Sequence, residues 1–291
     1  MRYEGVIIRP PSEAQSLILQ VTRGCSHNRC TFCPTYKGTR FRIRQHEEIV
    51  SDVQEASTWA GQARRIFLCD GDALVVPQRR LVPLLDLLNE RFPYLERIGI
   101  YANARSILNK SVEELRELRR RRLGIVYLGV ESGDQEVLKR IRKGADREKI
   151  LKAGLRVKEA GIILSVTVLL GIGGVQASHR HALETASLLN EMDPEYVGAL
   201  TLMVVPGTPL YQEAARGDFR MPDAFQLIEE LGLMIAHSEF THCYFTSNHA
   251  SNYLPLRVHL PQQKEDALKL IRGVLSSRDP SILRPEFMRG L

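Results

Sequence analysis

Apolar and polar positions along this chain switch between two periods. Short continuous apolar runs are followed by stretches in which apolar residues recur every three or four positions, and this pairing repeats six times. The strand-like runs are 16–22, 65–69, 97–101, 125–130, 162–170 and 196–202. The helical stretches after them are 46–60, 78–92, one opening at Ser111, the pair 135–142 and 147–160, and 179–192. Ile49, Val50, Val53 and Ala56 share one face of the first helix. Ser111 with Glu114 three residues on has the form of a capping box. Gly124 and Gly161 stand where glycines end helices.

Strand runs this continuously apolar suit a parallel sheet buried on both faces. Six β-then-α units predict an α/β fold, a partial (β/α)6 TIM-like barrel, with its core over 1–212. Past that point the pattern changes. A helix near 223–236 leads into 240–260, rich in Asn, Ser, His and aromatics, and an amphipathic helix at 262–275 follows. Residues 213–291 are expected to form a short C-terminal α/loop extension capping the barrel.

Composition narrows the compartment. The first residues lack a basic-then-apolar signal, and no apolar run approaches the roughly 20 residues of a membrane span. Five cysteines, an odd number, argue against a secreted disulfide scaffold. The expectation is a soluble, cytoplasmic protein without a membrane partner. Forty Lys and Arg against 34 Asp and Glu leave a net charge of +6, which permits anionic partners without requiring them. The Arg119–Arg122 run falls in the last turn of a helix, where cations are favoured by the helix dipole.

Chemistry enters at Cys25-Ser-His-Asn-Arg-Cys30-Thr-Phe-Cys33, directly after the first run. Thiolates spaced C-x4-C-x2-C can converge on one metal centre. A fourth ligand from His27, His242 or Cys243 would make this a structural zinc site, whereas three cysteines on a cubane leave one iron open. The place of the triplet argues for function, because sites in β/α architectures gather at the C-terminal ends of strands.

In this arrangement the sequence resembles the radical S-adenosylmethionine (radical SAM) superfamily over about 16–212. Phe32 precedes the third cysteine, and Cys69-Asp70-Gly71-Asp72 stands where the family carries a Gly-Gly-Glu-like segment. Gly129-Val-Glu-Ser-Gly133, the following Val137–Gly144 and Pro206-Gly-Thr-Pro-Leu210 look like the subgroup of methylthiotransferases and oxygen-independent coproporphyrinogen oxidases. The chain departs from the usual C-x3-C-x2-C by one residue, to be absorbed at His27 or Asn28.

The resemblance implies a single [4Fe–4S] cluster on Cys25, Cys30 and Cys33, reductive cleavage of S-adenosylmethionine, and hydrogen abstraction by a 5′-deoxyadenosyl radical. It places Asp70 or Asp72 at the methionine ammonium, with Gly71 between them in the cofactor set, Glu131 and Ser132 at the ribose, and Arg142 or Lys143 at the carboxylate. Gly171 and Gly173 would meet adenine through backbone, and Phe32 and Asn103 complete the cofactor set. Lys37, Arg40, Tyr101, Asn248 and Asn252 are candidates for a polar, anionic substrate of small or medium size. His249, Tyr253 and Cys243 are candidate proton or hydrogen donors, and Cys69 is a further thiol.

The implied partners are a small-molecule substrate and an electron donor such as flavodoxin or ferredoxin. An RNA-modifying enzyme is the alternative within the family, with nucleic acid not favoured by the arginine placement. A non-catalytic zinc or Fe–S structural or regulatory protein is the alternative outside enzymes. Three committed cysteines leave two, too few for an all-cysteine auxiliary cluster, and with a first run starting at Ser16 no cobalamin domain is expected ahead of it.

Overall fold

A computed structural model describes residues 1–290. In chain order the strands are β1 (Leu17–Gln20), β2 (Thr22–Arg23), β3 (Arg42–Ile43), β4 (Arg65–Cys69), β5 (Arg97–Ala102), β6 (Leu123–Glu131), β7 (Ile163–Leu170), β8 (Tyr196–Thr201), β9 (Cys243–Thr246) and β10 (Arg257–Leu260). The helices are α1 (His46–Trp59), α2 (Gln78–Arg91), α3 (Ala104–Leu108), α4 (Val112–Arg120), α5 (Gln135–Arg140), α6 (Arg147–Glu159), α7 (Gly174–Met192), α8 (Pro209–Ala215), α9 (Ala224–Ala236) and α10 (Lys264–Ser277).

Eight strands form one sheet in the order β1-β4-β5-β6-β7-β8-β9-β10. β1 with β4, β4 with β5, β5 with β6, β7 with β8 and β8 with β9 run parallel, and β10 closes the series antiparallel to β9. This is the α/β, mostly parallel sheet expected of a partial (β/α)6 barrel. The six expected strand runs are β1, β4, β5, β6, β7 and β8.

The chain divides into two compact units, one of Met1–Asn28, Thr35–Leu128 and Lys152–Leu164, the other of Arg29–Pro34, Gly129–Leu151 and Ser165–Leu291. In the first unit, Ile66, Phe67, Leu68, Ile98, Ile100 and Val126 are fully buried strand residues, as a sheet covered on both faces requires. Phe67, Tyr101 and Tyr127 meet edge to face, with centroids 4.9–6.0 Å apart. Below them the buried Glu13 carboxylate takes the Tyr127 hydroxyl and the Arg97 guanidinium, both at 2.5 Å. In the second unit, α7 and α9 are buried along one face through Ala182, Ala186, Leu189, Leu227, Leu231 and Ile235. Among the described residues, no helix is long and apolar enough to cross a membrane.

Three elements differ from the sequence reading. Gly124 does not end a helix; it lies in β6, where an added Cβ would come within 2.6 Å of Arg97 Cγ. The left-handed residue after α4 is Arg122, with φ +70°. Helix α7 starts at Gly174 rather than His179. Residues 240–260 are more than a connection: β9 and β10 pair from Cys243↔Leu260 to Thr246↔Arg257. Their alternating burial, with Val258 and Leu260 inward and Arg257 and His259 outward, is the period of a half-exposed strand.

Candidate functional site

The first unit carries Cys25 and the end of β4. The antiparallel pair β2–β3 matches Thr22 with Ile43 and Arg23 with Arg42, closing the neck of the cysteine loop. Just inside the neck, the Gly24 N–H donates to Asp70 Oδ2 at 3.0 Å, and Gln20 Nε2 donates to the same oxygen at 2.9 Å. Asp70 Oδ1 is buried without a hydrogen-bond partner. Burial raises the Asp70 pKa, with the Gly24 and Gln20 bonds opposing the shift. Burial and the adjacent Asp70 charge likewise push the Cys69 thiol and the Tyr36 hydroxyl up.

Asp72 is fully buried and holds the loop from the other side. It accepts from the Ser26 hydroxyl, from Asn103 Nδ2 at 2.8 Å and from the Asn103 N–H at 3.3 Å. Burial raises its pKa too. Between the two aspartates, Gly71 is required by space: a Cβ there would lie 2.6 Å from Tyr36 Cε2 and 3.1 Å from the Cys25 Cβ. The structure therefore brings Cys25, Asp70, Gly71, Asp72 and Asn103 together, with Asp72 and Asn103 spent on each other and on Ser26. Asn28 has a left-handed backbone at φ +43°, at one of the two positions expected to absorb the extra residue. Its Nδ2 donates to the Tyr36 carbonyl at 2.7 Å. Lys37 and Arg40 are exposed, and Lys37 reaches the Asn28 carbonyl at 3.3 Å. Tyr101 belongs to the aromatic cluster with Phe67 and Tyr127.

The second unit carries Cys30, Phe32 and Cys33, all half-buried. Their segment is pinned through Thr31, whose N–H donates to the Ile141 carbonyl and whose carbonyl accepts from the Leu210 N–H, both at 3.0 Å. At the end of β6, Glu131 is left-handed at φ +66° and 9% exposed. Its Oε1 takes Lys143 Nζ at 2.7 Å, and Gly129 leaves the room, since a Cβ there would lie 2.5 Å from that oxygen. Ser132 is buried against His181. Arg142 is exposed on a left-handed backbone, φ +53°. Gly171, Gly173 and Gly174 form the turn between β7 and α7.

The sequence profile described as the radical SAM superfamily matches residues 19–186, more than half of the chain. The chain belongs to the radical SAM superfamily. Among curated proteins it is 27% identical over 217 residues to an uncharacterized protein of Methanocaldococcus jannaschii, covering 70% of this chain and 66% of that one. It is 23% identical to the heme chaperone HemW of Bacillus subtilis, over 70% of this chain and 54% of the relative. It is 28% identical to a tRNA-2-methylthio-N(6)-dimethylallyladenosine synthase of Clostridium botulinum, over 69% and 44%. The chain thus spans from under half to just under two thirds of the length of these relatives. Among solved structures, methylornithine synthase (PylB) superposes with a TM-score of 0.55 at 18% identity, over 77% of this chain and 63% of that one. Coproporphyrinogen III oxidase (HemN) of Escherichia coli gives 0.55 at 18%, over 76% and 51%. These two likenesses show the fold.

Radical SAM membership implies S-adenosylmethionine and an iron–sulfur cluster, and the donor set fits them. None of the five cysteines is in a disulfide, and those of the 25–33 segment are half-exposed while Cys69 and Cys243 are fully buried. Among the described residues, no three His, Cys, Asp or Glu side chains stand grouped as metal ligands, so the cysteines' fit rests on their chemistry and spacing. The unpartnered Asp70 Oδ1 fits an ammonium, because a buried carboxylate oxygen is costly until a cation meets it.

In the extension of this radical SAM chain, Asn252 and Ser251 reach the end of β8. Asn252 accepts from the Thr201 hydroxyl and donates to the Ala199 carbonyl, both at 2.9 Å, and Ser251 Oγ accepts from the Thr201 N–H at 3.1 Å. His249 Nδ1 accepts from the Ser251 N–H at 3.1 Å and faces its hydroxyl at 2.9 Å. That arrangement puts the ring hydrogen of the neutral form on Nε2. Burial and the nearby Arg284 charge lower the His249 pKa. Tyr253, raised to about 12 by burial and Glu286, donates to Glu286 at 2.6 Å and lies under the Arg289 guanidinium. Asn248 faces the Arg257 guanidinium at 3.1–3.2 Å with its amide oxygen. Cys243 is sealed in β9. The buried Glu230–His181–Ser132 series went unnoticed in the sequence, because its members are 49 residues apart and no local pattern joins them.

Proposed function

We propose that this chain is a radical SAM enzyme whose Cys25, Cys30 and Cys33 hold one [4Fe–4S] cluster. When bound, the cluster supplies the electron that splits S-adenosylmethionine into methionine and a 5′-deoxyadenosyl radical, which takes a hydrogen from the substrate. The chain's own residues bind and orient. Asp70 meets the methionine ammonium with the carboxylate oxygen that Gly24 and Gln20 leave open. Glu131, fixed by Lys143, offers its other oxygen to the ribose hydroxyls, with Ser132 behind it. The Gly171–Gly173 turn takes adenine through backbone, and Arg142 is the cation for the methionine carboxylate. Thr31, pinned through its N–H and its carbonyl, fixes the segment that carries the second and third cysteines, with Phe32 beside the third.

Lys37, Arg40, Tyr101 and Asn248 are assigned to a polar, anionic substrate, and His249 through Nε2 or Tyr253 to proton or hydrogen return; Asn252, buried and bonded to Thr201 and Ala199, and Cys243, sealed in β9, are structural instead. Residues 1–212 are the catalytic core and 213–291 its cap, with a small electron carrier such as flavodoxin or ferredoxin as electron donor. The reading is carried by one observation: a three-cysteine loop held by Asp70, whose second carboxylate oxygen is buried and unpaired. A tRNA-modifying activity like that named for the Clostridium botulinum relative is the second reading, supported by that likeness.

Anaerobic reconstitution with iron and sulfide tests the proposal. The expected result is roughly four irons per chain and release of 5′-deoxyadenosine on reduction with S-adenosylmethionine, lost in Cys30→Ala. Stoichiometric zinc with no cleavage would sink it.

A further inference from the structure

The turn at the end of β7 is held by side chains from two helices of its own unit. The Gly171 N–H donates to Glu230 Oε1 at 2.6 Å, and the Ser178 hydroxyl donates to Glu230 Oε2. His181 Nε2 lies 3.3 Å from Glu230 Oε1 and 3.1 Å from the Leu169 carbonyl. Both neighbours are acceptors when Glu230 is ionised, so Nε2 carries a hydrogen. On the far edge of the ring, Nδ1 lies 2.7 Å from Ser132 Oγ, next to Glu131. Glu230, His181 and Ser132 are 1%, 0% and 0% exposed.

A carboxylate sealed in an apolar helix face is costly unless its lone pairs are met, and Leu227, Ile228 and Leu231 around it show that an apolar residue suits this face. What Glu230 does that a leucine would not is gather two donors, with His181 Nε2 alongside and directed at the Leu169 carbonyl. The turn it grips has no slack. A Cβ on Gly171 would lie 2.6 Å from Met221 Cε and 2.8 Å from Leu227 Cδ2, and one on Gly174 would lie 3.0 Å from Phe219 Cε2. The Val175 N–H donates to the Arg220 carbonyl at 2.9 Å. Residues 219–230 of the extension therefore back the whole turn, and Glu230 fixes its polar end.

We infer that Glu230 is a positioning residue for S-adenosylmethionine: it holds the Gly171–Gly174 turn directly, so that the turn is in place before the nucleoside arrives. This rests on the binding reading proposed above. It makes α9 of the extension part of the cofactor site without contact to the cofactor.

Reach and charge are separated by two variants of the reconstituted protein. Glu230→Asp keeps the charge but withdraws the acceptor by about 1.5 Å, one carbon–carbon bond. Glu230→Gln keeps the reach, and can accept from Gly171 while donating to Ser178. Equilibrium dialysis is expected to show S-adenosylmethionine bound about tenfold more weakly by the Asp variant and within about threefold of wild type by the Gln variant. At saturating S-adenosylmethionine, 5′-deoxyadenosine release should stay within about twofold in both, since the lost contact acts on binding. In protein without S-adenosylmethionine, the Gly171 amide should exchange slowly, and about tenfold faster in the Asp variant.

Equal affinity of Glu230→Asp and wild type overturns the inference. So does weaker binding by Glu230→Gln than by Glu230→Asp, or rapid Gly171 exchange in folded wild type. Wild-type protein that binds no S-adenosylmethionine removes the reading of the site and this inference with it; wild type that binds while Glu230→Asp matches it removes this inference alone.

Discussion

Asp70 shows how a single residue can oppose stability and favour ligand binding. Its Oδ2 takes the Gly24 and Gln20 donors, while Oδ1 is buried and unmet. Burial raises its pKa, so the native state holds the proton more tightly than the unfolded chain. Stability then falls as pH rises from the ordinary carboxylate range near ~3.9 through the raised pKa, and the penalty persists above it. Asp70→Asn removes that penalty and keeps one acceptor for Gly24. Its urea midpoint at pH 7, measured without iron, is expected to equal or exceed wild type, with the advantage vanishing in acid. S-adenosylmethionine affinity should drop by more than about tenfold. A variant less stable at pH 7 but undiminished in binding would assign Asp70 a purely structural role. Gly71→Ala tests the neighbouring position: its Cβ would press on Tyr36 and Cys25, and overpacking of about 1–3 kcal/mol should appear as lowered stability and iron retention. The strand-end carboxylates were legible in the sequence, because polar residues ending an apolar run stand out. Which of the two aspartates was saturated was not, since Ser26 and Asn103 come from distant positions.

At the scale of elements, long periodic stretches were read well and short ones poorly. All six core strands and most of the helices fall where apolar periodicity put them, since each buries enough surface to dominate its local sequence. The capping box is present in detail: Ser111 Oγ accepts from the Glu114 N–H at 3.1 Å, and Glu114 accepts from the Ser111 N–H at 2.7 Å. Ser111→Ala is expected to cost about 1 kcal/mol in urea unfolding and to leave S-adenosylmethionine cleavage at the wild-type rate. A loss of cleavage would link α4 to the site. The helix stop was misplaced because any residue can take a left-handed backbone when its neighbours hold it there, and Arg122 does so. β9 and β10 escaped notice because four-residue strands carry only two inward side chains each, and their polar partners look like loop.

For the whole molecule, the surplus of six positive charges says less than their pairing. Arg119 donates to the Gly161 carbonyl at 2.9 Å, Arg120 to Glu113 at 3.1 Å and Arg121 to Asp86 at 2.8 Å. Exposed ion pairs of this kind contribute little to stability, but those of Arg120 and Arg121 offset two of the four charges of the run. Cys69 and Cys243 are each fully buried, unlike the half-exposed cysteines of the 25–33 segment. Both observations weigh against the tRNA-modifying reading and for a smaller substrate. Fluorescence anisotropy with unmodified tRNA should therefore find only weak, sequence-independent binding at 0.15 M salt, with Kd of about 1 µM or weaker and collapsing as salt rises. A Kd tighter than about 10 nM that survives at this ionic strength would reverse the choice, and would send the search for the RNA surface away from the Arg119–Arg122 turn to cations the fold leaves exposed, beginning with Lys37 and Arg40 beside the cysteine loop.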